Sequence, residues 1–206
     1  GGEGCDDGNE DETDSCLKSC IPGPSLRKPA QGEVVFTELM IDPVASDEYW
    51  GEWVEMRNVT DEVLSLVACE LVDEGGDVGT LGIPLGTLVI TPYSEIVVGP
   101  TSLLAQNGGV LLDGLYTNML LANGADTLGL LCEDVLVDVV AYDALAWPLL
   151  PGHALSLDPD KIDTLDNDEV TSWCAAFSPY GLGDFGTPGV VNPPCPVVDD
   201  VVDECG

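Results

Sequence analysis

The residues best placed to do chemistry are carboxylates and thiols. The stretch CDDGNEDETDSC (5–16) sets six acidic side chains between two cysteines, and Asp6, Asp7, Asn9, Asp11 and Asp14 carry the oxygens that a hard cation needs. A second stretch, DPDKIDTLDNDE (158–169), supplies Asp158, Asp160, Asp163, Asp166 and Asp168, with Asn167 and Glu169 beside them. Calcium takes roughly six to eight oxygens, and turning loops rich in Asp and Asn can provide them, so both stretches are candidate calcium sites. Neither is an EF-hand: the second lacks the glycine and the spacing to a terminal Glu. The opposing reading is that these carboxylates are solvated surface charge, and a formal net charge of −33 gives it weight. Calcium is the one cofactor expected, and no organic cofactor is.

The eight cysteines are Cys5, Cys16, Cys20, Cys69, Cys132, Cys174, Cys195 and Cys205. With no C-x-x-C pair and a single histidine, they point to disulfides in an oxidising compartment rather than to zinc. The protein is therefore expected to be extracellular or at a cell surface. Cys69 and Cys132 each sit in an apolar strand candidate, where a bridge between strands is plausible. Cys174 with Cys195 would pin a late loop to its exit; Cys195 with Cys205, or exchange with the N-terminal cysteines, are the alternatives.

Catalytic patterns are missing. His153 opens a strand candidate, PGHALSLD, and belongs to no triad, and G-x-S-x-G, H-E-x-x-H and P-loop motifs are absent. Carboxylates are so abundant that no glycosidase-like pair stands out. No enzyme is expected. Thirty-eight acidic against five basic residues oppose binding to nucleic acid or to an anionic membrane. No run of 18 apolar residues occurs, so no membrane insertion is expected, and an export signal would have been removed or would precede Gly1.

Positioning falls to strands. From Val34 onward, short apolar or alternating runs recur between turn residues: EVVFTELM, GEWVEMRN, VLSLVACELV, GTLVI, SEIVVG, GGVLLDG, DTLGLLC, VLVDVVAY and HALSLD. Their spacing predicts an all-β sandwich or barrel of about nine strands. The best helical rival, TSLLAQNGGVLL (101–112), is broken by Asn107, Gly108 and Gly109. Alternation puts Trp53, Glu55 and Arg57 on one strand face and Val54 and Met56 on the other, the aliphatic pair facing the core. The Glu55 face then either pairs its charges or forms a lateral binding surface. Glu38, among apolar neighbours, reads as an edge residue or a hydrogen-bonded, half-buried carboxylate. Beyond Leu157 the chain is too rich in Gly, Pro and Asp for long strands, and Trp173, Phe177, Tyr180 and Phe185 could dock it on the sandwich as a wrap-around loop. The organisation is thus a Cys-rich acidic segment (1–20), a Pro-containing linker (21–32), a β-domain with its wrap-around loop (33–192) and an acidic tail with one cysteine (193–206).

FTELMIDP (36–43), GEWVEMRN (51–58), LSLVACELVDE (64–74), LANGADTLGLL (121–131), VDVVAY (137–142) and SWCAAFSPYGLGDFGTPGVVN (172–192) together resemble the lamin-tail domain. The resemblance implies an immunoglobulin-like β-sandwich and a binding or structural module of the kind found in secreted bacterial proteins. The opening CDDGN followed by CLKSC is similar to a Cys-rich repeat of myxobacterial surface proteins, with Gly4 for Glu, Ser15 for Gly and the first cysteine missing. Because that pattern begins with Cys-Gly and the chain ends in Glu-Cys-Gly, Cys205 is the candidate member of a four-cysteine unit with Cys5, Cys16 and Cys20, completed within this chain, with the next repeat of a longer polypeptide, or between neighbouring subunits. Bonding between neighbours would join subunits head to tail into a filament. The expected function is a secreted structural or adhesive surface module that self-associates; the alternative is a carbohydrate- or protein-binding domain of a larger cell-surface protein.

Overall fold

Short runs of β-branched and aliphatic residues, each stopped by Gly, Pro, Asn or Asp, set the length of every element. The structure, a computed structural model, describes residues 26–82 and 88–196. In chain order these form β1 (Val34–Met40), a one-turn helix α1 (Glu48–Gly51), β2 (Trp53–Asn58), β3 (Leu64–Ser65), β4 (Cys69–Val72), β5 (Val78–Thr80), β6 (Val89–Ile90), β7 (Glu95–Gly99) and β8 (Gly114–Leu115). They continue with β9 (Ala125–Cys132), β10 (Val135–Asp143), β11 (Leu155–Leu157), 3₁₀ turns at Pro159–Lys161 and Val170–Ser172, β12 (Trp173–Ala175), β13 (Pro179–Tyr180) and β14 (Asp184–Phe185).

The all-β expectation holds. A six-stranded sheet runs β12-β11-β1-β2-β7-β8 and a four-stranded sheet runs β10-β9-β4-β5, with two-stranded pairs β13-β14 and β3-β6. Among the described residues there are fourteen short strands rather than the expected nine, because one run is divided and β5, β12, β13 and β14 lie outside the expected runs. The divided run, VLSLVACELV, turns at Val67 and Ala68, the latter at φ 57°, and so supplies both β3 and β4. At 101–112 the break at Asn107 wins over the helical pattern. The buried Asn107 amide donates to Thr101 O and Val110 O, its oxygen accepts from Gly109 N and Val110 N, and Gly108 and Gly109 take positive φ.

The main core lies between the two large sheets. Phe36, Leu39, Val54, Met56, Ile96 and Val98 come from the six-stranded sheet, and Cys69, Leu71, Leu128, Leu130, Val137, Val140 and Tyr142 from the four-stranded one. Val54 and Met56 thus face inward, as alternation predicts.

Two disulfides hold the described residues. Cys69–Cys132 joins directly opposed residues of β4 and β9 in the core, and Cys174–Cys195 ties β12 to the end of the wrap-around loop. Each bond removes conformations from the unfolded chain, for a stabilisation of ~3–5 kcal/mol across the long span and ~3 kcal/mol across the shorter one. Such bonds belong to an oxidising environment. No helix among the described residues is long and apolar enough to cross a membrane.

Candidate functional site

Two places concentrate polar groups with geometry the sequence only hints at. The first is the outer face of the six-stranded sheet, where Glu38 on β1 and Glu55 on β2 are direct cross-strand partners. Like charges directly opposite destabilise a sheet, so this pair needs compensation. It comes from the wrap-around loop. Thr187 N donates to both Glu38 oxygens (2.9 and 3.1 Å), Gly189 N donates to Glu55 Oε2 (2.8 Å), and Thr37 Oγ1 donates to Glu55 Oε1 (2.7 Å).

The Thr187 hydroxyl lies 3.4 Å from Glu38 Oε2 but only 2.7 Å from Asn192 Oδ1. Its one proton therefore goes to Asn192, and Glu38 is held by the Thr187 N–H. Burial, then the Glu55 charge, pushes the Glu38 carboxyl well above the ordinary carboxylate range; burial pushes Glu55 up to about 8. Asn192 completes the clasp by donating to Thr37 O and Leu157 O.

Next to the pair, the Trp53 indole donates to Tyr180 Oη at 3.0 Å, inside a small second core with Met40, Val97, Val110, Ala154 and Ala176. Of the two readings of the Trp53, Glu55 and Arg57 face, the structure shows charge pairing across strands, Arg57 with Glu95 on β7, and the loop covers the alternative lateral surface at Trp53 and Glu55. Glu38 sits on an interior strand and is fully buried, not at an edge or half-buried. Trp173 and Tyr180 dock as expected, Phe185 stacks on His153, and Phe177 remains exposed. The His153 Nδ1 contacts Ala176 O at 2.7 Å, so its polar contact goes to the loop backbone.

A further buried carboxylate stitches the sheets together. β1 has a bulge between Phe36 and Glu38, and β10 one between Leu136 and Asp138. Asp138 Oδ2 accepts from Phe36 N and from the buried Asn167 amide, both at 2.8 Å. Burial raises the Asp138 carboxyl to about 7.

The second place is a groove of about 600 Å³ at the end of the four-stranded sheet. The β4–β5 turn supplies Asp73, Glu74 and Asp77, the start of β9 supplies Asp126, and Leu120, Ala122, Ala125, Ala141 and Tyr142 provide an apolar lining. Its walls are fixed. Asp73 Oδ1 accepts from Asp77 N, Asp126 accepts from Ala122 N and Thr127 N, and the Tyr142 hydroxyl donates to Ala122 O. Behind the wall, the buried Glu52 accepts from Leu121 N, and burial raises its carboxyl to about 8.

Asp6, Asp7, Asn9, Asp11 and Asp14 lie outside the described residues, as do Cys5, Cys16, Cys20 and Cys205. In the second acidic stretch, the carboxylates mostly serve local turns. Asp158 accepts from Asp160 N and Cys195 N, Asp163 from Leu165 N and Asp166 N, and Asp166 pairs with Lys161. Asp160 is exposed, Asp168 is raised by burial and by Glu169, and Asn167 points inward to Asp138. Among the described residues, no three acidic, histidine or cysteine side chains converge as a metal-holding group.

Sequence reasoning missed the groove because it ranked carboxylates by density, and these four are spread over 54 positions. The turn DEGGD, flanked by strand-like runs and matched with LANGAD, was the available signal. Compared with known proteins, the chain matches no family model, no curated protein and no solved structure.

Proposed function

We propose that the chain is an extracellular structural or adhesive module of lamin-tail, immunoglobulin-like type that acts through its surfaces rather than by catalysis. One observation carries this reading. The polar residues of EWxExxN and GTPGxxN, which carry the resemblance, are spent on architecture: Glu55, Thr187, Gly189 and Asn192 hold the wrap-around loop, and Asn58 holds the turn beside β2. The Asn58 amide donates to Glu62 O, Ile90 O and Thr91 O while its oxygen accepts from Thr60. All four oxygens of the Glu38–Glu55 pair have protein partners, which leaves it unsuited to substrate.

Two forms of the module are separable by electron microscopy of the purified full chain. Filaments that disperse with chelator or reductant support head-to-tail self-association through the terminal cysteines and acidic segment. Monodisperse particles under all conditions remove the filament form and leave the ligand-binding form, which the acidic groove favours. Turnover on a panel of glycan and ester substrates, lost on changing a named acidic pair, would overturn the whole reading.

A further inference from the structure

We propose that the groove between the β4–β5 turn and the β9–β10 edge is a docking site for an extended, lysine- or arginine-bearing segment of a partner protein. The inference rests on reading the chain as a binding module and names the partner's chemistry.

Three features lead to it. First, charge: Asp73, Glu74, Asp77 and Asp126 rim the groove, and no described basic residue answers them. Arg27 pairs with Glu33 and Glu62, Arg57 with Glu95 and Lys161 with Asp166, while Lys28 donates to Val67 O. Second, shape: the lining is small and apolar, with Ala122, Ala125 and Ala141 leaving room where larger side chains would fill it, and with Leu120 half exposed at one wall. A lysine or arginine has the matching form, an aliphatic stem that packs on apolar surface and a cationic head that reaches a polar rim. Third, the arrangement disfavours a bare metal ion. The rim carboxylates do not converge as a metal-holding group, and Asp73 and Asp126 are already oriented by backbone N–H groups. Spread charges over an apolar floor suit an extended organic cation, and complementary charge would also speed encounter.

Any polycation is drawn to a protein of charge −33, so the test must separate the groove from the general field. Fluorescence anisotropy of a labelled lysine–alanine peptide is measured against the full chain at about 0.15 M salt, where exposed charges more than ~8 Å apart are largely screened. Glu74→Gln with Asp77→Asn removes two rim charges whose side chains hold no backbone group among the described residues, and Asp61→Asn with Asp160→Asn removes two exposed charges elsewhere. Ala141→Trp fills the floor at an exposed strand position and changes no charge. Roughly tenfold weaker binding is expected for the rim pair and for Ala141→Trp, with less than about a twofold change for the remote pair. Equal losses for the two charge pairs with no effect of Ala141→Trp, or no binding by the wild-type chain, would overturn the docking site. Recovered peptide of unchanged mass is expected; a cleaved or modified peptide would instead overturn the non-catalytic reading beneath it.

Discussion

The outer faces of the two large sheets have opposite fates. That of the six-stranded sheet is covered by the loop from Ala176 to Asn192, so Met40, Trp53 and Val97 are buried there and β1 is buried along its whole length. That of the four-stranded sheet is bare among the described residues: Val78 is 42% exposed and Leu136 46%. The difference teaches that a sheet's second face is buried only if something returns to it, and the return must be held. Here it is held by carboxylates that accept loop N–H groups and by Cys174–Cys195, whereas the bare face carries charge at its rim and, among the described residues, no returning segment.

The largest break in this contrast should come from Trp53. Its side chain fills the second core and donates to Tyr180, so Trp53→Ala removes both packing and a hydrogen bond. A loss of ~3–5 kcal/mol is expected in urea unfolding, with protease cleavage appearing between residues 176 and 192. A loss below ~1 kcal/mol would mean that the loop does not cover the face in solution. Next in size is the Cys174→Ala, Cys195→Ala double variant. Freeing a span of 21 residues should cost ~3 kcal/mol, again with cleavage confined to the loop. Cleavage spread across β9 and β10 would argue that the bond supports the whole fold.

Proton linkage sharpens the comparison further. Glu38, Glu52, Glu55 and Asp138 have folded-state values above those of free carboxylates, chiefly through burial, so the folded protein binds more protons than the unfolded chain. Their contribution is fully present below the ordinary carboxylate range of about 4. It is lost as pH rises through about 7 for Asp138 and about 8 for Glu52 and Glu55. Stability should therefore be greater at pH 5 than at pH 8.5. Glu55→Gln, a neutral isostere, should match the wild type at pH 5 and exceed it by ~1–3 kcal/mol at pH 8.5. Chemical unfolding at the two pH values checks this, and a Gln variant that is less stable at both would show that Glu55 holds Gly189 N as an anion.

Much of the first face was legible in pieces but not as a whole. Alternation in GEWVEMRN separated Val54 and Met56 from Trp53 and Glu55 correctly, and the aromatic residues after Leu157 signalled a docking loop. What local pattern cannot show is that Glu38 lies opposite Glu55, because that depends on a bulge between Phe36 and Glu38 that shifts register by one residue. An alternating strand also looks the same whether its polar face meets water or a loop more than 130 residues away. Density likewise did not point to the groove. The acidic run 158–169 folds its carboxylates onto its own turns, while Asp73, Asp77 and Asp126 reach a common groove only because β4 and β9 are paired. The pairing of Cys174 with Cys195 was legible because both ends of the loop carry a cysteine, though sequence left its alternatives open.

The smallest effect expected is on the bare face, and it is the control for the largest. Leu136 lies against Gly129, where an added Cβ would come within 3.1 Å of its Cδ1, so it covers its own sheet and little covers it. Leu136→Ser removes apolar surface that is already half in water, and a change within about 0.5 kcal/mol is expected because no cavity or orphaned polar group is created. The same substitution reduces exposed apolar area and should lower concentration-dependent association in sedimentation at neutral pH. A stability loss approaching that of Trp53→Ala would mean that this face too is covered in solution, and the contrast between the two sheets would disappear.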